Sequence, residues 1–217
     1  MATPTLLQLR TMVRTDLRDP DGTTFEDQTV TDFVNAGIAE ISRIAPRESR
    51  QQIPFDPTVN QYSTLLVDAH RVEAWDTVAV PPTFFTLIPP QADNDFNSSQ
   101  AGWEIWAGSL SIPSGWTSGL TPSRHSFVVW GWMGYAQLVN DTDVADFTDA
   151  NLVWAVREYA AVAGFEYLMA DRALFEQWAT QANNTDVTPA ALANMLSLWL
   201  SKWERRRKQL RTLRQLP

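Results

Sequence analysis

Few residues in this sequence could carry out covalent chemistry, and they lie far apart. The two histidines, His70 and His125, fall in different segments with no carboxylate pattern around them, so both read as surface or satisfied strand positions. There is no cysteine, which removes disulfides, thiolate metal sites and cysteine nucleophiles together and suits assembly in a reducing cytoplasm. The phosphate-cradling GxxxxGKS/T, the GxSxG elbow and the HExxH metal pair are all missing. Asp19-Pro-Asp-Gly22 opens like a calcium loop, but its glycine comes at the fourth position and not the sixth, so a tight turn between helices accounts for every residue. Asp141, Asp143, Asp146 and Asp149 precede a helical stretch and read as solvated acids that complement a helix N-terminus. A glycosidase pair would need a partner such as Glu104, and nothing ties Glu104 to them. The expectation is a protein without catalysis and without a cofactor.

Residues suited to binding are better represented. Ten tryptophans in 217 residues is a heavy dose, and Trp103, Trp106, Trp116, Trp130 and Trp132 share one section. Exposed rings could stack on sugars, which would make that section a carbohydrate-binding module of a virion or surface protein. The other reading has them fill a local core and anchor contacts to neighbouring chains. Trp103 and Trp106 are three apart, so in a regular strand one faces inward and the other is available to a neighbour. That spacing favours core plus interface.

Charge is the second feature. Lys202, Arg205, Arg206, Arg207, Lys208, Arg211 and Arg214 crowd into the last 17 residues against Glu204 alone, while residues 1–200 hold 10 basic and 24 acidic residues. So acidic a body cannot grip nucleic acid over its whole surface, because neutralising phosphate takes clustered cations. A helix end that completes its own dipole needs two or three cations. Seven ask for a partner, either a protein groove or the phosphates of DNA.

The elements that must position these groups fall into three sections. Leu6, Leu9, Val13 and Leu17 lie on one helical face, with Arg10, Arg14 and Arg18 on another, and the helix should stop at Asp19–Gly22. A second helix runs from about Asp27 with Val30, Phe33, Val34, Gly37, Ile38 and Ile41 on its stripe, capped by Thr24 or Asp27 and closed by Pro46. From about Ile53 to Val139 the pattern becomes short β-branched and aromatic segments at 71–80, 83–88, 103–112 and 125–135, which predicts four to six antiparallel strands. Residues 112–123 read as the hairpin connection between the last two, and 89–100 as a mobile surface loop. Helices return from Asn151. The first is apolar nearly all round and the second carries Leu174, Phe175 and Trp178. The third is opened by Thr188-Pro189 and is long enough, at roughly 37 Å, for its last turns to project.

The predicted fold class is therefore α+β: a helical bundle made from an N-terminal hairpin and C-terminal helices, with an inserted antiparallel β domain and a long projecting C-terminal helix. The expected divisions are 1–50, 51–145, 146–200 and a basic tail at 201–217. Hydrophobic content of 44% and charge of 19% are globular values. No window approaches 18 uninterrupted apolar residues and no signal peptide opens the chain, so no membrane partner is expected.

The order of these features resembles the head-to-tail adaptor (connector) proteins of tailed double-stranded DNA bacteriophages. Asp19–Gly22, Thr24 and Phe25 stand where that family has its turn, and Asp32, Phe33 and Asn35 where it has an acid, an aromatic and an asparagine in the second helix. Residues 103–113, 128–143 and 167–196 are similar to its later segments. The resemblance implies a non-catalytic virion protein of the neck, put together in the host cytoplasm. It would form a homo-oligomeric ring, usually a dodecamer, beneath the portal protein, through which double-stranded DNA passes without sequence specificity. A stopper, tail or nozzle protein would follow below. On this reading Trp199, Trp203, Arg205, Arg206, Arg207, Leu210 and Arg214 bind the portal, and Trp103, Trp106, Trp116 and Trp132 contact neighbours or the tail. The competing reading of the tail is direct contact with DNA.

Overall fold

The computed structural model describes residues 3–90, 102–147, 149–181, 184–185 and 187–214, with side chains in the last helix as far as residue 211. The chain divides into two compact units, one built from residues 1–46 and 135–217 and the other from 47–134.

The first unit is helical. Its described elements are α1 (Leu6–Asp16), α2 (Asp27–Ile44), α3 (Ala150–Ala170), α4 (Arg172–Ala179) and α5 (Pro189–Arg214). Thr5 opens α1 with a reciprocal capping box to Gln8. The expected cap of α2 differs. Glu26 is its N-cap and makes no side-chain cap bond, because Thr24 faces the turn and Asp27 is drawn to Arg14 at 2.7 Å. The predicted stripes meet in one core, where Leu6, Leu9, Val13, Leu17, Val30, Val34, Ile38, Val156 and Phe165 are fully buried. α2 and α3 touch at Gly37, where a Cβ would stand 2.8 Å from the Val156 carbonyl oxygen.

The turn between α1 and α2 is organised by one carboxylate. Asp19 is fully buried; its Oδ1 accepts from the N–H groups of Thr23 at 3.0 Å and Thr24 at 3.1 Å, and its Oδ2 from Phe25 N–H at 3.1 Å. Arg14 Nη1 at 3.0 Å and Gln181 Nε2 at 3.0 Å complete the set. Every oxygen lone pair is thus taken by an N–H group, one of them from the Arg14 guanidinium, which explains the aspartate as the organiser of the turn. Asn35 makes a second clasp, its amide trading bonds of 2.9 Å with the N–H and C=O of Leu138. Tyr135 makes a third, with its N–H donating to Ser42 Oγ at 2.9 Å and its hydroxyl to the Ala45 carbonyl at 3.1 Å.

The second unit is a β structure. Its strands are β1 (Arg47–Pro54), β2 (Gln61–Ser63), β3 (Asp68–Asp76), β4 (Thr83–Ile88), β5 (Glu104–Trp106), β6 (Ser109–Ser111) and β7 (His125–Met133). They form one four-stranded sheet in the order β1-β7-β3-β4 and one three-stranded sheet in the order β2-β6-β5. All strand pairs are antiparallel, and the first pair sets Arg47 opposite Met133. Phe127 is the centre of the core, edge-on to Phe55 and Tyr62 at 5.8 and 5.1 Å.

Two expectations are corrected here. Residues 112–123 are not a hairpin connection: β6 lies in the three-stranded sheet and β7 in the other, so the segment crosses between sheets through a 3-10 turn at Ser114–Trp116. The strand β1 was missed, since the eight residues Arg47–Pro54 are polar up to Ile53. The predicted loop at 89–100 lies almost wholly outside the described residues. No helix among them is long and apolar enough to cross a membrane.

Candidate functional site

Thr188 starts α5 by accepting the Ala191 N–H on its hydroxyl at 3.2 Å, and Pro189 fits the first position because it has no N–H to satisfy. The helix then runs unbroken past Ser201 to Arg214. One face is committed to the bundle: Leu192, Trp203 and Leu210 are buried, and Met195, Leu196 and Trp199 pack partly against the same core. Trp203 meets Tyr159 edge-on at 5.2 Å. Arg206 lies on this face too, with Nε and Nη2 at 3.3 and 3.2 Å from the buried Glu158 carboxylate and Nη1 at 3.2 Å from Asn151 Oδ1.

The expected docking residues therefore divide. Trp203, Arg206 and Leu210 hold α5 to α3, and losing one partner of a buried ion pair such as Arg206–Glu158 costs about 3–5 kcal/mol. Trp199 is partly buried and carries the Lys202 ammonium 4.0 Å above its ring. Arg207 pairs with Glu204 at 3.0 Å. Arg205, Lys208 and Arg211 are exposed. The side chain of Arg214 lies outside the described ones.

Near the end of the bundle, Arg43 Nε and Nη2 donate to Glu40 at 2.9 and 2.7 Å. Those bonds, with the added fields of Arg207 and Arg211, hold the Glu40 carboxyl below its ordinary value. Arg43 is thus the direct partner of Glu40, and the two α5 guanidinium groups act on it through their fields. At the opposite end is a cavity of about 470 Å³ lined by Gly22, Phe25, Glu26, Tyr167, Leu174 and Gln177 among others. Phe25 and Tyr167 form its aromatic wall with ring centroids 6.5 Å apart, and Tyr167 is half exposed. Sequence reasoning did not find this cavity, because its walls come from segments more than 130 residues apart.

In the β unit the tryptophans have distinct fates. Trp103 is buried and donates its Nε1–H to the Ile88 carbonyl at 2.9 Å, while Trp106 is 79% exposed. The strand alternation anticipated that division. Trp116 packs partly on the core, and Trp132 lies at an intermediate position with its ring 6.1 Å from His70. Trp75 and Trp130 flank the Arg50 guanidinium, each with its ring centroid 5.3 Å from it, a stack no spacing in the sequence announced.

The residues considered for chemistry have structural duties. His125 is buried, its Nδ1 accepting the Thr121 N–H at 2.8 Å, and His70 is half exposed, 3.5 Å from Glu48. Asp149 caps α3 through the Asn151 N–H at 2.8 Å. Asp143 accepts the Val139 and Asn140 N–H groups at 2.8 Å each, Asp141 pairs with Arg10 at 2.6 Å, and Asp146 Oδ2 accepts the Ala136 N–H at 3.4 Å. So one of the four acids caps a helix, while the others order the segment before it or bind α1. Glu104 is exposed on β5. Among the described residues, no group of three or more His, Cys, Asp and Glu is placed to hold a metal ion.

The family model described as SU10 adaptor protein matches residues 4–212. No curated protein matches the chain.

Proposed function

Since the chain belongs to the SU10 adaptor protein family, a phage head-to-tail adaptor family and so a structural one, we propose that its copies form a ring, a dodecamer, beneath the portal. There the ring prolongs the DNA channel and joins the capsid vertex to a tail-side protein. In this reading the β unit offers Trp106, together with Trp116 and Trp132, to neighbouring copies or the tail while Trp103 is buried, and the C-terminal helix serves the portal.

The observation that carries the portal contact is the division of α5 into a packed face and a cationic one. Trp203, Arg206 and Leu210 fix the helix on the bundle, and Arg205 and Lys208 stand exposed beyond it. A rigid cationic helix suits an acidic groove on the portal, where opposite charge steers encounter and sets register. Repetition around the ring turns weak single contacts into strong ones. The acidic body leaves the passing DNA without strong phosphate sites over most of the surface.

Titration of the purified chain onto the portal ring of the same phage tests this. Truncation before Trp203 would remove core residues, so the informative variant is Arg205→Glu with Lys208→Glu, which leaves the packed face intact. The expectation is saturation at one copy per portal subunit, with affinity falling roughly tenfold or more in the variant. Unchanged affinity would free the cations from this role, and loss of salt-sensitive DNA binding instead would assign them to DNA. No portal binding at low salt would refute the placement.

A further inference from the structure

The helical unit carries two complementary features at its two ends. Arg206 reaches Asn151 in the first turn of α3, whereas the cavity is lined by Tyr167 in its last. Sixteen helical steps separate these points, about 24 Å. At the first end Arg43 pairs with Glu40 and Arg207 with Glu204, and Arg211 stands exposed one turn further on, its field still reaching Glu40. At the second end Glu26 lines the cavity, Asp21 is exposed near it in sequence, and among the described residues no Lys or Arg lines the cavity.

We propose that copies of this chain join end to end, the cationic end of one, formed by Arg211 and Arg43, seating in the cavity that Phe25, Glu26 and Tyr167 line on the next. The inference rests on the ring reading above and names the surface on which neighbours meet. The pairing is chemically specific. A guanidinium entering the cavity finds a carboxylate at Glu26 and the half-exposed ring of Tyr167, backed by the buried Phe25, and a planar cation is stabilised by both carboxylate and ring. Because the two surfaces differ and lie at opposite ends, the contact is heterologous. Each copy keeps one end for the following copy, and the series closes into a ring or extends as a filament, never stopping at a dimer.

The chain has no cysteine of its own, so paired cysteines report the contact without background. Thr29→Cys lines the cavity and Ala39→Cys stands exposed one turn before Arg43. The double variant, bound to the portal ring and treated with a short bismaleimide, is expected to give a ladder running past dimer to the full ring, and either single variant none. Arg211→Glu or Glu26→Arg in that background should cut the ladder about tenfold, and the two together should restore it, which excludes misfolding as the cause. Portal-bound copies that saturate without a ladder would overturn this inference and leave the adaptor reading standing. A product limited to dimer would overturn it as well. If the portal does not bind, the same ladder is sought in concentrated free protein; its presence supports the end-to-end contact independently, and its absence refutes it.

Discussion

Asp19→Asn keeps the shape of the turn-forming side chain and removes its charge, so it isolates what the carboxylate contributes. Five N–H groups converge on its two oxygens, three on Oδ1 and two on Oδ2. The least costly arrangement of the amide keeps its oxygen at Oδ1 and turns its NH2 toward Phe25 N–H and Arg14 Nη1. Two bonds to the ionised carboxylate, of about 1.5–3 kcal/mol each, are then lost, with two donors left facing a donor. The summed loss is about 3–6 kcal/mol. It should fall on the helical unit alone. Urea unfolding with peptide-level hydrogen exchange reads both parts: amides of α1 and α2 should lose protection while those of β3 and β7 keep theirs. A loss below about 1 kcal/mol, or one spread equally over both units, would refute the claim that this carboxylate organises the turn.

Other outcomes follow from the same geometry. Trp203→Ala should cost about 3–5 kcal/mol because the ring is buried against Tyr159. Trp106→Ala should stay within about 0.5 kcal/mol, since its ring is 79% exposed; chemical denaturation of each variant checks the contrast. Gly37→Ala should destabilise by about 1–2 kcal/mol despite a gain in helix propensity of about 1 kcal/mol, because the new Cβ would press on the Val156 carbonyl. The backbone N–H groups of Asn140 and Val139 hold the Asp143 carboxyl below its ordinary value, and hydrogen bonds from Arg124 do the same for Asp76. Their stabilisation is complete above about pH 4 and is lost as pH falls through the lower folded values. Asp16 runs the other way: burial pushes its carboxyl up in spite of Arg157, so stability falls as pH rises through the window above about pH 4. Asp16→Asn should remove that downward slope, measured as urea midpoints between about pH 4 and 7.

The helical hairpin was legible because its apolar residues repeat at helical spacing and its turn is written in Asp19–Gly22. Trp103 and Trp106 were legible for a similar reason, since strand alternation decides which ring goes inside. β1 was not. Its residues Arg47–Gln52 carry little apolar alternation, and they enter the sheet through pairing with β7, some 80 positions away. Sheet membership of β6 and β7 was equally hidden, because a local turn signal does not reveal a crossover. In α5 the apolar stripe itself was plain, but its occupant was not: Glu158, which takes Arg206, lies 48 residues earlier. A stripe in sequence looks the same whether it packs on its own chain or on another.

The pairing of Arg47 with Met133 sets the start of β1 directly opposite the end of β7, so the β unit leaves and re-enters the bundle through adjacent strands, about 5 Å apart. On the bundle's side, the bonds from Tyr135 to Ser42 and Ala45 bring the two crossings together using bundle residues alone. The inserted unit is thus a cassette whose two chain crossings start close together within each unit. Lengthening, shortening or exchanging it between Pro46 and Tyr135 should leave α1, α2 and α3 little changed. A chain with a few glycines in place of residues 47–134 should still fold as the helical unit.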